Sequence, residues 1–513
     1  MKRILIIATF LVCTGQCFGQ DAAQMSNHCT KAANIGTLTS PSWNGWGGDL
    51  SNTRFQPEQL SVSQLKLKWA FGFPDAKAVS GQPVVAGGRV FVGADNGYVY
   101  SLDAATGCVY WSFHAEAAVR SSATVELISA TRPAAYFGDA KANVYAVDAS
   151  TGELIWKVHV EEHPAAKITG ALRVFENRIY VPVASGEEGA GGNPTYGCCT
   201  FRGSVVALNV ANGRQIWKTY MIPDEPRPVK KNTNGVQRWA PAGAGVWNSP
   251  TIDPKRRALY VGTGDAYAEP AAKTTDSIVA LDLDTGKMLW AVQDTENDVW
   301  LAACGPNNHP ENCPDELGPD HDFGSPPILK TLSGGRSILV AGQKSGNVWA
   351  HDPDNKGAVL WKTPLVGNTK EFGGKIVWGG AADEQYAYFG LGPGGIGAVR
   401  LSDGEKKWFK ALTPAAALST HPGQDGPLTA TPGLVFSGGW DGVLRALSAS
   451  DGNVVWEFNT VRDFETVNGV VAKGGSMGAA GAVVAGKMLF VPSGYVGVRN
   501  GMPGNVLLAF GTP

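Results

Sequence analysis

The chain is poor in charge: only 17% of its 513 residues are Asp, Glu, Lys or Arg, and the formal net charge is −2. That balance leaves no electrostatic footprint for nucleic acid. Apolar runs of membrane-spanning length are also missing. The opening run, Ile4 to Val12, falls far short of the roughly 20 residues that cross a bilayer. There is no Cys-x-x-Cys and no paired-histidine spacing, which disfavours a zinc site.

The start of the chain, "MKRILIIATFLVCTGQCFGQ", sets two cations before the apolar run and small and polar residues after it. This pattern predicts a secretory leader over 1–20, cut near Gly19 or Gln20. Neither Cys13 nor Cys17 follows the small residue that a lipoprotein cleavage site needs. We therefore expect a soluble periplasmic protein with a short N-terminal segment over 21–42 and one folded body over 43–513. Six cysteines remain, at 29, 108, 198, 199, 304 and 313, and an oxidising compartment permits disulfides.

The 66 glycines and 16 tryptophans recur in a pattern. "LDAATGCVYW" ends at Trp111, "VDASTGELIW" at Trp156, "LNVANGRQIW" at Trp217 and "LDLDTGKMLW" at Trp290. Variants end at Trp361, Trp408 and Trp456, and Trp69 stands one repeat earlier without the turn. Each unit reads strand, Asp-x-x-Thr-Gly turn, strand: the Asp can accept backbone N–H groups and the Gly supplies positive φ. Two further short alternating runs precede each turn. Four antiparallel strands repeated eight times predict an all-β, eight-bladed β-propeller, closed by "KMLFVPSG" and "NVLLAF" pairing with strands near the N-terminus. The repeated Asp, Gly and Trp residues are then structural.

Blades need about 40–50 residues, yet the tryptophan spacings run 42, 45, 61, 73, 71, 47 and 48. The surplus falls in 185–203, 219–246 and 292–322. With strands A to D in each blade, the B–C loop and the loop from D to the next A emerge on the same face. The first stretch joins B to C and the other two precede an A strand, so all three build up one face. Glu187, Asp265 and Lys344 stand at B-strand ends on that face. Arg120, Thr169, Trp247, Asp322 and Trp378 stand at A-strand starts on the same face. Polar and aromatic residues gathered on one rim predict a site. Three carboxylates converging there repel unless a cation or a raised pKa relieves them, and Ca²⁺ favours such oxygen ligands. The alternative is that Glu187, Asp265 and Asp322 are solvated or cap turns.

The repeat resembles the tryptophan-docking motif of the PQQ-dependent quinoprotein alcohol dehydrogenases, which bind pyrroloquinoline quinone (PQQ). "GWGGDLSNTRFQPEQL" resembles their lead-in, and the likeness covers about residues 43–511. "SGEEG…CCTFRGSVVAL", "GVWNSPTIDPKRRALYVGTGD" and "GQKSGNVWA" resemble the polyvinyl alcohol dehydrogenases in particular. The resemblance implies Glu187 as a Ca²⁺ ligand, with Asp265 where the family usually has asparagine. It implies Asp322 of "DHDFG" as the base and a further metal ligand, with Gly324 where lanthanide-dependent relatives carry another aspartate. Trp247 would lie under the quinone, Lys344 would contact its reacting carbonyl, and Arg120 and Thr169 would bind the cofactor. Trp378 and Trp440 would wall the pocket or simply pack. The implied reaction is hydride transfer from an alcohol, small or polymeric, to PQQ.

Many relatives carry a vicinal disulfide over the quinone, at the position that Ser121 and Ser122 hold here. Cys198 and Cys199 could swing back over the same pocket as a lid, could bond other partners, or could stiffen their loop. Cys304–Cys313 would close a short loop, and Cys29–Cys108 would tether the N-terminal segment. Some relatives carry a fused haem domain with Cys-x-x-Cys-His, a motif missing here, so a separate cytochrome c is the expected electron acceptor. Because envelope-assembly propellers share the docking repeat, the competing reading is a non-catalytic scaffold. Another is a quinoprotein dehydrogenase for a different small alcohol or polyol.

Overall fold

Seven four-stranded antiparallel sheets and one five-stranded sheet form the blades of the ring. The computed structural model describes residues 22–30, 35, 38, 42–129, 131–305, 308, 310–366, 375–414, 422–497 and 501–512; the leader expected at 1–20 lies outside them. Blade 1 runs Val84–Ala86, Arg89–Gly93, Tyr98–Asp103 and Val109–His114, in the order A to D. Blades 2 to 7 repeat the scheme. Blade 8 takes Val483–Ala485, Met488–Ser493 and Val506–Gly511 from the end of the chain and Lys66–Gly72 from its start. The closing pair runs antiparallel from Lys66 opposite Gly511 to Gly72 opposite Val506. This pairing completes the eighth blade with strands from both ends of the chain, as the sequence predicted, and leaves only the short outer edge of each blade.

Apolar residues fill the seams between consecutive blades. Tyr180, Val205 and Ala207 of blade 3 meet Ile252, Leu259 and Val279 of blade 4, and the last seam joins Phe436 of blade 7 to Val484 of blade 8. Docking tryptophans bind the seams from outside. Trp111 Nε1 donates to Ala149 O at 2.9 Å, Trp156 to Val210 O at 3.0 Å and Trp217 to Leu283 O at 3.2 Å, each in the next blade's turn. The turn glycine seats the ring. Gly286 has φ +71°, and a Cβ there would lie 2.5 Å from Trp217. One residue type thus meets a backbone and a packing demand together.

A ribbon from Trp43 to Phe55 crosses the hub, bonding in turn to the inner strands. Val85 pairs with Trp43, and Ile252, Leu329, Ala382 and Ala430 donate to the carbonyls of Leu50, Ser51, Thr53 and Arg54. The Arg54 side chain is buried and donates to Trp46 O and Gln82 Oε1, both at 2.6 Å, and to Thr429 Oγ1 at 2.9 Å. Desolvation pushes its pKa down to about 9. Trp46, stacked on this guanidinium at 4.5 Å, forms the floor of the hub. Disulfides join Cys29 to Cys108, Cys198 to Cys199 and Cys304 to Cys313.

Candidate active site

Above Trp46 lies a cavity walled by residues that each precede an inner strand, among them Arg120, Ser122, Thr169, Trp247 and Trp378. The sequence placed four of these on one face, and the structure brings those four together. Trp247 meets Trp378 edge to face at 5.4 Å, and Arg120 stacks on Trp378 at 4.4 Å. Thr169 Oγ1 and Ser122 Oγ are buried without a hydrogen-bond partner, an arrangement that costs about 1–3 kcal/mol each unless a ligand supplies one. Gly324 lies beneath Trp247, where a Cβ would stand 1.8 Å from the indole. Trp440 is elsewhere, packed on Tyr495 at 5.3 Å.

Trp247 joins this cavity to a buried acid cluster. Its Nε1 donates to Asp322 Oδ2 at 3.1 Å, while the backbone N–H of Asp265 donates to Asp322 Oδ1 at 3.0 Å. Lys344 Nζ lies 2.5 Å from Asp320 Oδ1, 3.1 Å from Asp322 Oδ2 and 5.4 Å from the Trp247 ring. Carboxylate oxygens of Asp265, Asp320 and Asp322 all fall within 4.8 Å of one another. Burial opposes the charge on Lys344, but Asp320, Asp322 and Glu188 outweigh it and raise its pKa well above the usual value. Burial pushes Asp320 up to about 8 against the pull of Lys344. Asp265 is raised well above the usual carboxylate range, by burial first and then by Asp322 and Glu188. Its Oδ2 is buried with no partner. So many carboxylates around one lysine leave an excess of negative charge that a cation would neutralise.

Glu187 points elsewhere than its expected role requires. Its carboxylate is fully buried and accepts from Thr200 N at 2.9 Å, Phe201 N at 2.8 Å and Tyr196 Oη at 3.0 Å. It anchors the loop that follows it. Glu188 is the residue that feels Lys344 and Asp322, and burial pushes its pKa up to about 7. The physical reason is local: Glu187–Ala190 form one helical turn, not the extended chain in which neighbouring side chains oppose. Cys198 and Cys199, expected as a lid, are not among the cavity's lining residues. They are bonded to each other within an apolar cluster that includes Phe201, Leu301, Cys304 and Cys313. Their backbones pair with Trp239, in the hairpin formed by Arg227–Lys231 and Gln237–Ala240.

Sequence reasoning passed over Asp320 and Asp276. Asp320 stands two residues before Asp322, but its backbone is left-handed, φ +60°, so the spacing alone does not reveal that the two carboxylates meet. Asp276 has both oxygens buried without partners and φ +50°; nothing in its sequence context signals this.

A family profile for the PQQ-containing glucose/ethanol/alcohol dehydrogenase β-propeller domain matches residues 43–307, more than half of the chain. A profile of outer membrane protein assembly factor BamB matches residues 339–506, a stretch that holds Lys344 but none of the clustered carboxylates. Polyvinylalcohol dehydrogenase of Pseudomonas sp is 42% identical over 503 residues, covering 93% of this chain and 78% of that protein. Polyvinylalcohol dehydrogenase of Sphingopyxis sp. (strain 113P3) is 37% identical over 501 residues, covering 91% and 76%. The solved structure of quinohemoprotein alcohol dehydrogenase from Comamonas testosteroni shares the fold, with a TM-score of 0.68 at 20% identity over 92% of this chain and 81% of that one.

Proposed function

The chain belongs to the PQQ-dependent quinoprotein alcohol dehydrogenases, and from that premise we propose that it is a Ca²⁺-dependent enzyme in which Asp322 is the base. It is an oxidoreductase acting on an alcohol with PQQ as cofactor; the metal, the residue roles, the substrate and the electron acceptor are what the proposal adds. The donor set fits a planar tricarboxylate. Trp247 offers a flat wall, Arg120 a positive charge, and Thr169 and Ser122 unpaired hydroxyls. The free space is about 30 Å³, so seating the ring requires the cavity walls to move apart. Asp265, Asp320 and Asp322, whose carboxylate oxygens fall within 4.8 Å of one another, would hold the cation, with Glu188 adding negative charge nearby. Glu187 is not a ligand in this reading, because it spends its oxygens on Tyr196, Thr200 and Phe201.

When bound, PQQ supplies the hydride acceptor and Ca²⁺ the Lewis acid that polarises it. The chain's own residues do the rest. Trp247 Nε1 and the Asp265 N–H fix the Asp322 carboxylate from two sides, so that it accepts the alcohol's proton without first reorienting. Lys344, kept cationic by Asp320 and Asp322, stabilises negative charge developing beside it. Asp322 is only 3% exposed, and a dry site strengthens each of these interactions.

The two polyvinylalcohol dehydrogenases support a polymeric alcohol as substrate, with small primary or secondary alcohols and polyols as the alternative. A separate cytochrome c is the proposed electron acceptor. Periplasmic residence is supported by three disulfides; among the described residues no helix is long and apolar enough to cross a membrane. The observation that carries the proposal is the contact of Asp322 with Lys344 and Trp247 at the edge of the hub cavity. Its test is reconstitution with PQQ, with Ca²⁺ or chelator, against a panel of alcohols and either a dye or cytochrome c. Turnover that needs both additions supports it. A protein inert to every alcohol would favour the scaffold reading.

A further inference from the structure

A second cavity, of about 260 Å³, opens on the same face as the acid cluster, among the loops around blade 3. Its walls join three aromatic faces, Phe201, Tyr220 and Trp239, to the hydroxyl of Thr200 and the imidazole of His163. Of the charged groups around it, Glu225 stands exposed at the rim and the other two are engaged. Glu161 pairs with Lys218 at 2.7 Å, and Arg202 stacks on Tyr220 at 4.0 Å while donating to Pro223 O at 3.1 Å. Apolar walls with a few placed hydrogen-bonding groups suit an uncharged ligand of mixed character. A carbon chain bearing hydroxyls on alternate carbons has this character: methylenes for the rings, and a hydroxyl for Thr200 Oγ1, which His163 orients from behind while its other ring nitrogen accepts from Ala165 N–H.

The cavity is wired to the reaction centre. Thr200 N and Phe201 N, at its wall, donate to Glu187, and His163 Nε2 lies 3.1 Å from Thr200 Oγ1 and 3.5 Å from Glu187 Oε1. The next residue, Glu188, interacts with Lys344 and Asp322. Trp239 is held in the opposite wall by its backbone: its N–H donates to Cys198 O at 2.9 Å, and Cys199 N–H donates to its carbonyl at 3.2 Å. The long excursion over 185–203 therefore supplies a carboxylate beside the acid cluster at one end and this wall at the other, with the bonded cysteines bracing Trp239.

We propose that this cavity is a subsite for a polyhydroxylated aliphatic chain, seating units of a polymeric alcohol that lie beyond the one being oxidised. The proposal rests on the alcohol dehydrogenase reading above. It predicts that Trp239→Ala lowers the ratio of kcat/KM for poly(vinyl alcohol) to that for pentane-2,4-diol about tenfold, since an aromatic anchor commonly carries that much of a binding energy. Thr200→Val, which keeps the backbone bond to Glu187, should lower the same ratio by a smaller factor. Calorimetric binding of short poly(vinyl alcohol) to the full chain, in wild-type and Trp239→Ala forms, measures the subsite without turnover. Polymer bound by the wild type and weakened about tenfold by Trp239→Ala supports the subsite, even if the polymer is not oxidised; in that case only the substrate reading fails. Polymer that binds and turns over equally well in both variants overturns the subsite and leaves the enzyme reading intact. Failure of the wild type to bind polymer also overturns it.

Discussion

Removing each of two adjacent glutamates should give opposite results. Glu187→Ala deletes a fully buried carboxylate that satisfies two backbone N–H groups and the Tyr196 hydroxyl. Each buried donor left unpaired costs about 1–3 kcal/mol. The Phe201 bond is buried and the other two are partly buried, so the loss should be at least about 1–3 kcal/mol and below the roughly 9 kcal/mol of three fully buried donors. Water entering through the neighbouring cavity would offset part of this, and a loss near the lower bound is the expected result. Glu188→Ala deletes a carboxylate from a cluster where Asp322 repels it and burial already opposes its charge. Metal-free stability should then hold or rise slightly, while Ca²⁺ affinity falls. Thermal unfolding of the metal-free proteins, paired with calorimetric Ca²⁺ titration, reads both effects. The reasoning is refuted if Glu187→Ala unfolds like the wild type yet loses Ca²⁺ while Glu188→Ala still binds it.

Gly324→Asp should displace Trp247, because a Cβ at that position stands 1.8 Å from the indole. PQQ binding followed by tryptophan fluorescence should be lost, and retained binding would show that the ring can move at little cost. The metal-free protein should become less stable as pH rises. Glu188 and Asp320 are pushed up to about 7 and about 8, chiefly by burial, so the folded state binds more protons than the unfolded state between about pH 4 and 8. Their stabilising contribution is complete below the unfolded pKa and is lost as pH climbs through the folded values. Ca²⁺ should therefore raise the unfolding midpoint more at pH 8 than at pH 5; a Ca²⁺ effect equal at both would contradict the cluster as its site.

The ring was legible because its signals are local and periodic. Asp, Gly and Trp recur at fixed offsets, and each glycine meets a tryptophan one blade away, as Gly286 meets Trp217. The functional face followed from counting strands, which is a matter of parity and needs no side-chain detail. Side-chain direction within an insertion did not follow. Whether Glu187 or Glu188 faces Lys344 depends on one helical turn after Gly186, and four residues carry too little periodicity to reveal it. The place of Cys198 and Cys199 depends on the distant hairpin that holds Trp239, a long-range pairing with no local signature. Asp320 was not legible: its backbone is left-handed, φ +60°, so its spacing to Asp322 does not place it, and its value depends on Lys344, which arrives from the next loop.

The most direct test of the account is Asp322→Asn in protein reconstituted with PQQ and Ca²⁺. The amide keeps one carbonyl oxygen, so it can still accept from one of Trp247 and Asp265, but it cannot serve as the base. PQQ should stay bound by absorbance while alcohol-dependent dye reduction falls by about 10²–10⁴, the usual worth of a positioned base. Turnover near the wild-type rate with PQQ bound would contradict the account, leaving Asp322 as a structural anchor for Trp247 and Lys344.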